Sequence, residues 1–472
     1  MTNATDYNPA TVYAAGGVSR NPSNEAFIAA YPYQTANEVE QTLELSVSAF
    51  RLWRATPMSE RVAAYNRLAI TLRDRSEALA ALITAEMGKP ITAARAEVEK
   101  CAATIEWIAE NGPAILADEP VTIDGDDEVY VSYLPIGTIL GVMPWNFPLW
   151  QVIRASAPIM LSGNGFLLKH APNVMGAAHA LEDAYEAAGF PKGLFTNLNA
   201  DNETVAHVIA DPRIAAVTLT GSMRAGAAVA ATAAKALKKS LLELGGSDAF
   251  IVLADANIDL AVQTAVHARF QNTGQVCLAA KRFILERPIA EEFTRKFVAA
   301  VRNLKAGDPM DPAFEIGPMA RHDLRDELHN QVEKTLKQGA KLLLGGRKSD
   351  GPGNFYEPTV LGDVAPGMTA FDEETFGPVA ALTIADNPEH AIELANTSDY
   401  GLSGNLWTAD TAHAKRIARC LETGGVFING FSASNPRIPV GGVKKSGYGR
   451  ELSHFGLCEF TNAQAVWTKT VD

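Results

Sequence analysis

The sequence predicts an α/β protein built on two parallel β-sheets, each covered by helices on both faces. Two observations carry this. Short apolar, strand-like runs alternate with longer amphipathic stretches through most of the chain, the order that right-handed strand–helix–strand units produce. The length, 472 residues, also suits two to three domains with cores of their own.

Taken in order, Thr35 and Glu38 make a capping box, and Val39, Leu43, Val47 and Phe50 follow at helical spacing. A second long helix starts at Ser59 and closes near Gly88–Lys89–Pro90, a stop signature. The acidic stretch DEPVTIDGDDE (118–128) reads as an exposed excursion. After Pro148 come a short helical stretch, the apolar run Gly165–Lys169, and a helix over about Val174–Ala188 ended by Gly189 and Pro191. Leu194–Leu198 and Ile214–Thr220 read as strands, the second running into Gly221 and an Ala-rich helix. The second half repeats the rhythm: strand Ala249–Leu253, helix Ile258–Phe270, strand Phe283–Glu286, helix Ala290–Leu304. Later strands are Val379–Ile384, Asn405–Thr408 and Val426–Asn429, and Glu459–Trp467 is a further extended piece.

Composition narrows the function. A net charge of −13, from 41 basic and 54 acidic residues, argues against a nucleic-acid partner. No run approaches the roughly 20 apolar residues that cross a bilayer, so no membrane association is expected. The polar start MTNATDYNPA lacks a secretory pattern. Cys101, Cys277, Cys420 and Cys458 form no C-x-x-C pair and have no histidine cluster beside them, so neither a metal site nor a disulfide framework is expected. A reducing, cytoplasmic setting follows. Three of the four sit in helix-like or packed segments and read as small buried hydrophobes.

Cys277 differs. It ends the run Phe270–Gln–Asn–Thr–Gly–Gln–Val–Cys277, where Gly274 permits a backbone turn that brings a thiol close to a ligand. Such a thiol is a nucleophile only as the thiolate; the alternative is a packed cysteine beneath a helix cap. Glu243, in the apolar run Leu242–Glu243–Leu244 before Gly245 and Gly246, is either a general base with a raised pKa or a turn carboxylate satisfied by backbone N–H groups. Asn146, in the doubly proline-stiffened Pro144–Trp145–Asn146–Phe147–Pro148, can donate to an oxyanion or simply occupy a polar turn. Thr220–Gly–Ser–Met–Arg–Ala–Gly226 follows a strand and opens a helix, a junction whose N–H groups can hold a pyrophosphate. No P-loop and no G-x-G-x-x-G occurs.

These motifs, with Glu373–Glu374–Thr375–Phe376–Gly377–Pro378, stand in the order and spacing of the aldehyde dehydrogenase superfamily, which the chain resembles from Glu86–Met–Gly–Lys–Pro90 to Gly441–Gly–Val–Lys–Lys–Ser–Gly447. The resemblance implies the aldehyde dehydrogenase fold: a Rossmann-like cofactor-binding domain (1–118 and 141–243), a catalytic domain (244–440), and a β oligomerisation arm (119–140 and 454–472) that pairs subunits into a homodimer or homotetramer. It implies that Cys277 attacks an aldehyde, that Asn146 and the Cys277 backbone N–H hold the oxyanion, and that Glu243 activates water against the resulting thioester. For the cofactor it assigns Trp145, Lys169, Gly221, Ser222, Gly245, Glu374 and Phe376. The family's usual carboxylate three residues after the lysine is absent here, where Pro172 stands. A carboxylate there would repel a 2′-phosphate, so its loss permits either NAD or NADP.

Within the family the chain is most similar to the succinate-semialdehyde dehydrogenase branch, sharing Leu168–Lys–His–Ala–Pro–Asn–Val174 and Glu451–Leu–Ser–His–Phe–Gly456 with a bacterial subgroup. A distal carboxylate on the substrate calls for a cation. Arg154 matches an arginine that reads it in better-known members, whereas Gln271 replaces their second arginine, and Arg437 in the loop Ser434–Pro439 is the expected substitute. The competing classes are a Cys–Glu thioesterase, for which the cofactor residues have no purpose, and a CoA-acylating dehydrogenase, which usually lacks the glutamate found here.

Overall fold

The computed structural model describes residues 16–124 and 127–469. The N-terminal decapeptide, Gly125 and Asp126 of the excursion, and 470–472 of the expected arm lie outside the described residues.

In the first sheet the strands Phe195–Asn197, Gly165–His170, Thr138–Met143, Ile214–Thr220 and Lys239–Glu243 lie parallel in that order. Thr138–Met143, at its centre, is almost wholly buried, as a strand covered on both faces must be. The short strand Gly447–Tyr448 then returns from the far end of the chain and pairs antiparallel with Lys239–Glu243, setting Gly447 opposite Glu243. The second sheet runs Lys341–Leu344, Thr359–Gly362, Val379–Ala385, Ala280–Glu286, Asp248–Val252, Gly404–Trp407, Val426–Ile428. All are parallel except the edge strand Lys341–Leu344. A third, antiparallel sheet joins Glu119–Pro120, Glu128–Pro135 and Thr461–Thr468, with Thr461 opposite Pro135 and Thr468 opposite Glu128. Its last strand is mostly exposed.

Several elements differ from the sequence reading. The helix expected from Ser59 to Gly88 is two helices, Met58–Asp74 and Ser76–Met87, broken at Arg75 (φ −98°, ψ 9°). Both pack on a 25-residue helix, Ile91–Ile115, that the sequence reading left unassigned. Thr138–Leu140, assigned to the arm, are the first half of a strand in the first sheet. The strand expected at Phe283 begins at Ala280, because Lys281 and Arg282 are buried strand residues. Lys281 donates to the carbonyls of Val276 (3.0 Å) and Cys277 (2.6 Å) and pairs with Glu374, and Arg282 donates to the carbonyls of Ser247, Leu394 and Ala395. Two cations thus disguised the start of a central strand.

Candidate active site

A cavity of about 470 Å³ opens between the two sheets, lined among others by Trp145, Asn146, Gly221, Ser222, Gly245, Cys277, Glu374 and Phe376. Seven residues singled out for separate reasons therefore share one cavity wall with the cysteine.

Cys277 is presented by an unusual backbone. The helix Ile258–Phe270 ends at Gln271, and Asn272, Thr273 and Gly274 follow with φ of +49°, +55° and +74°. Only glycine adopts such angles without strain, so the turn expected to rest on Gly274 is three residues deep and must be held from outside. Asn272 Nδ2 donates to Asn146 O at 2.9 Å, Thr273 Oγ1 accepts from Gly317 N at 3.1 Å, and Gln275 Oε1 accepts from Ala320 N at 2.9 Å. Buried Arg269 donates to the carbonyls of Val379 (2.6 Å), Thr375 (3.0 Å) and Gly377, tying this loop to the Glu373–Pro378 segment. A Cβ on Gly274 would stand 2.3 Å from Gly377 O. The thiol is pushed up to about 11 by burial, against the pull of Arg154 and Lys281 and with the push of Glu243 and Glu374.

Asn146 is buried, and its Nδ2 donates to Gln275 O at 3.0 Å. An amide nitrogen carries two hydrogens, so one remains for an anionic oxygen beside the cysteine. Glu243 ends the strand Lys239–Glu243 just behind the wall formed by Leu244 and Gly245. It is 2% exposed, and burial raises its pKa well above the usual carboxylate range. Its Oε1 has no hydrogen-bond partner among the described residues, which leaves an acceptor for a mobile water.

Ser222 caps the helix Met223–Lys235 by accepting from Ala225 N. Glu374 is anchored by Lys281 Nζ at 3.0 Å and by Gly246 N at 3.2 Å. It lies against Gly245 so closely that a Cβ there would stand 2.2 Å from Glu374 Oε2. Trp145 meets Phe376 edge-on, centroids 5.7 Å apart. Lys169 lies within the strand Gly165–His170, outside the lining of this cavity, its Nζ donating to His170 O, and burial pulls it down to about 8.

The substrate residues do not gather as expected. Arg154 is 1% exposed and faces inward. Its Nε pairs with Glu451, its Nη2 donates to Thr220 Oγ1 at 3.2 Å, and Nη2 lies 3.7 Å from Glu243 Oε2. The guanidinium expected to read a substrate carboxylate thus faces two buried glutamates. Gln271 lines a different groove, of about 560 Å³, with Pro90, Thr92, Ala93, His267 and Asn272. Arg437 is exposed in its loop. The sequence reading missed Glu451, Lys281, Arg269 and Gln275. Only Glu451 had a signal, since a buried arginine beside Glu243 needs a second counter-charge, and nothing local reveals that burial.

Among the described residues no group of three or more His, Cys, Asp and Glu side chains is placed to hold a metal ion, and no helix is long and apolar enough to cross a membrane.

Residues 15–466 match the aldehyde dehydrogenase family model, and the chain belongs to that family. A relative at 57% identity is the succinate semialdehyde dehydrogenase [NAD(P)+] Sad of Escherichia coli strain K12, aligned over 96% of this chain and 98% of the relative. The probable NADP+ succinate-semialdehyde dehydrogenase of Synechocystis is 45% identical over 95% of this chain and 98% of its own. Among solved structures, the succinic semialdehyde dehydrogenase of Streptococcus pyogenes in complex with NADP+ superposes with a TM-score of 0.94 at 36% identity, covering 96% of this chain and all of that one (100%). The aldehyde dehydrogenase fold is thereby shown.

Proposed function

We propose that this aldehyde dehydrogenase oxidises succinate semialdehyde to succinate with NAD+ or NADP+, through a thioester on Cys277. One observation carries the reading: a single cavity is lined by the Cys277 thiol, the Asn146 amide and the dinucleotide-side group Ser222, Gly245, Glu374 and Phe376. The choice of aldehyde and the dual cofactor follow the 57% identical relative, and Pro172 is consistent with both dinucleotides.

The residues present fit a dinucleotide. The first-turn N–H groups behind Ser222 would take the pyrophosphate, the missing Cβ of Gly245 leaves Glu374 in place for a ribose, and Trp145 and Phe376 offer apolar surface to a ring. When bound, the oxidised nicotinamide supplies a hydride acceptor. Cys277 Sγ adds to the aldehyde carbon, its proton passing to a base, and Asn146 Nδ2 holds the oxyanion. Loss of hydride leaves the thioester. Glu243 then takes a proton from water; the hydroxide adds to the thioester carbonyl, the C–S bond breaks, and the acid leaves as Cys277 is restored. Arg154, itself paired with Glu451, holds Glu243 in place.

A panel of succinate semialdehyde, glutarate semialdehyde and butanal, assayed with each cofactor at 340 nm without CoA, tests this. Cofactor reduction with the highest kcat/KM for succinate semialdehyde is expected, and absence of reduction, or preference for butanal, refutes it. A cofactor preference above about 100-fold, near 2.7 kcal/mol, would refute dual use.

A further inference from the structure

The strand Ala280–Glu286 leaves the nucleophile's loop with a lysine where a covered strand calls for an apolar residue. Lys281 is fully buried, and burying an ammonium is costly unless its hydrogens and its charge are both met. It has three hydrogens and three acceptors: Val276 O at 3.0 Å, Cys277 O at 2.6 Å and Glu374 Oε1 at 3.0 Å. With all three in use and its side chain outside the cavity lining, Lys281 can hold other groups but not react itself.

The carbonyls alone do not explain the charge. Val276 O also accepts from Ala279 N at 3.2 Å, and a carbonyl asks only for a neutral donor. Asp248, another carboxyl in the field of Lys281, is taken by the hydroxyl and the N–H of Ser403. Glu374 is therefore the group that uses the cation. Its side chain is 20% exposed and lines the cavity, whereas that of Lys281 is 0% exposed. Gly246 N holds the same Oε1 at 3.2 Å, and Oε2 lies against Gly245 at the cavity wall. The same ammonium holds the nucleophile's own carbonyl, its shortest contact. Burial pushes the Cys277 thiol up to about 11; Arg154 and then Lys281 pull against it, while Glu243 and Glu374 add to the push. Cys277 and Glu374 thus meet through one buried cation.

We infer that Lys281 is a positioning residue that fixes the Glu374 carboxylate to the Cys277 peptide, so that a dinucleotide whose ribose Glu374 receives is held in register with the thiol. The assignment rests on the proposed reading of Glu374 as a ribose partner.

A double-mutant cycle tests it, with whichever of NAD+ and NADP+ the wild type binds more tightly. Kd is measured by calorimetry, and kcat/KM with succinate semialdehyde, in wild type, Lys281→Met, Glu374→Gln and the double variant. Lys281→Met is expected to weaken the dinucleotide about tenfold, the scale of a charge-assisted hydrogen bond lost at Glu374, and to lower kcat/KM at least as much. In the Glu374→Gln background the same change should alter Kd less than about threefold, because the carboxylate it acts through is gone. Alkylation of Cys277 by iodoacetamide at pH 8 should slow in Lys281→Met and quicken in Glu374→Gln, opposite signs that a merely structural lysine does not produce. A Kd unchanged in Lys281→Met, a tenfold loss repeated in the Glu374→Gln background, or alkylation moving the same way in both variants overturns this assignment alone. A Glu374→Gln variant that binds dinucleotide as wild type does overturns the ribose reading and this assignment with it. A wild type that binds neither dinucleotide overturns the proposed function as well. Should Lys281→Met fail to fold, Lys281→Gln, which keeps a donor for Cys277 O but no charge for Glu374, is held to the same outcomes.

Discussion

Replacing Arg154 by Met tests the buried charge cluster behind the nucleophile. Arg154 is 1% exposed, pairs with Glu451, and lies 3.7 Å from Glu243; both carboxyls are themselves almost wholly buried. Removing the cation strands two carboxylates that have been taken out of water. Breaking a buried pair in this way costs about 3–5 kcal/mol. The cost depends on pH. Burial already raises the folded-state pKa of both carboxyls, Arg154 being the main opposing influence, so its loss raises them further. A carboxyl whose folded pKa lies above its unfolded value destabilises the fold increasingly as pH rises from the unfolded pKa to the folded one. Below that window both states are protonated and the penalty vanishes. Between them each carboxyl adds about 1.4 kcal/mol per pH unit. Wild type and variant share that slope up to the wild-type folded pKa, about 8 for Glu243, so urea midpoints of wild type and Arg154→Met at pH 7.5, 8.5 and 9.5 should diverge, with the variant falling further behind at each step above it. The second consequence is kinetic: a Glu243 held protonated is a poor base, so thioester accumulates, detectable as an acyl adduct on Cys277 by mass spectrometry after quenching. A stability loss that is the same at all three pH values would refute the reasoning, as would a variant as stable as wild type.

Other outcomes follow from the same geometry. Gly274→Ala places a Cβ 2.3 Å from Gly377 O at φ +74°, so it should cost at least about 2 kcal/mol and reduce kcat; a change below about 0.5 kcal/mol in urea unfolding would show that the loop can relax. In the cofactor-free protein, alkylation of Cys277 by iodoacetamide, followed on its own peptide, should rise nearly tenfold per pH unit from 7 to 9, because burial holds the thiol near 11; a plateau below pH 9 contradicts this. Pro172→Glu should lower kcat/KM for NADP+ at least tenfold more than for NAD+, through repulsion of the 2′-phosphate, and an unchanged ratio would remove Pro172 from cofactor selection.

Much of this protein was legible in its sequence because the information is local. Strands such as Ile214–Thr220 and helices such as Ile258–Phe270 lie where apolar periodicity put them, since burial of one face or two selects that periodicity. The residues that carry the family resemblance, Cys277, Glu243, Asn146, Glu374 and Phe376, were readable as short motifs for a similar reason: each needs fixed neighbours, such as Gly245, without a Cβ beside Glu374. What the sequence could not reveal depends on which charges are buried together. Lys281 and Arg282 hid the beginning of a central strand because the fold brings them their partners, Glu374 and the neighbouring Cys277 carbonyl for Lys281 and the distant carbonyls of Ser247 and Leu394 for Arg282. Arg154 was readable as a cation near the site, but only the return of the chain at Glu451, almost 300 residues later, commits it to the interior. Periodicity records whether a residue is apolar; the pairing of buried charges is decided by elements hundreds of residues apart, and so by the tertiary structure alone.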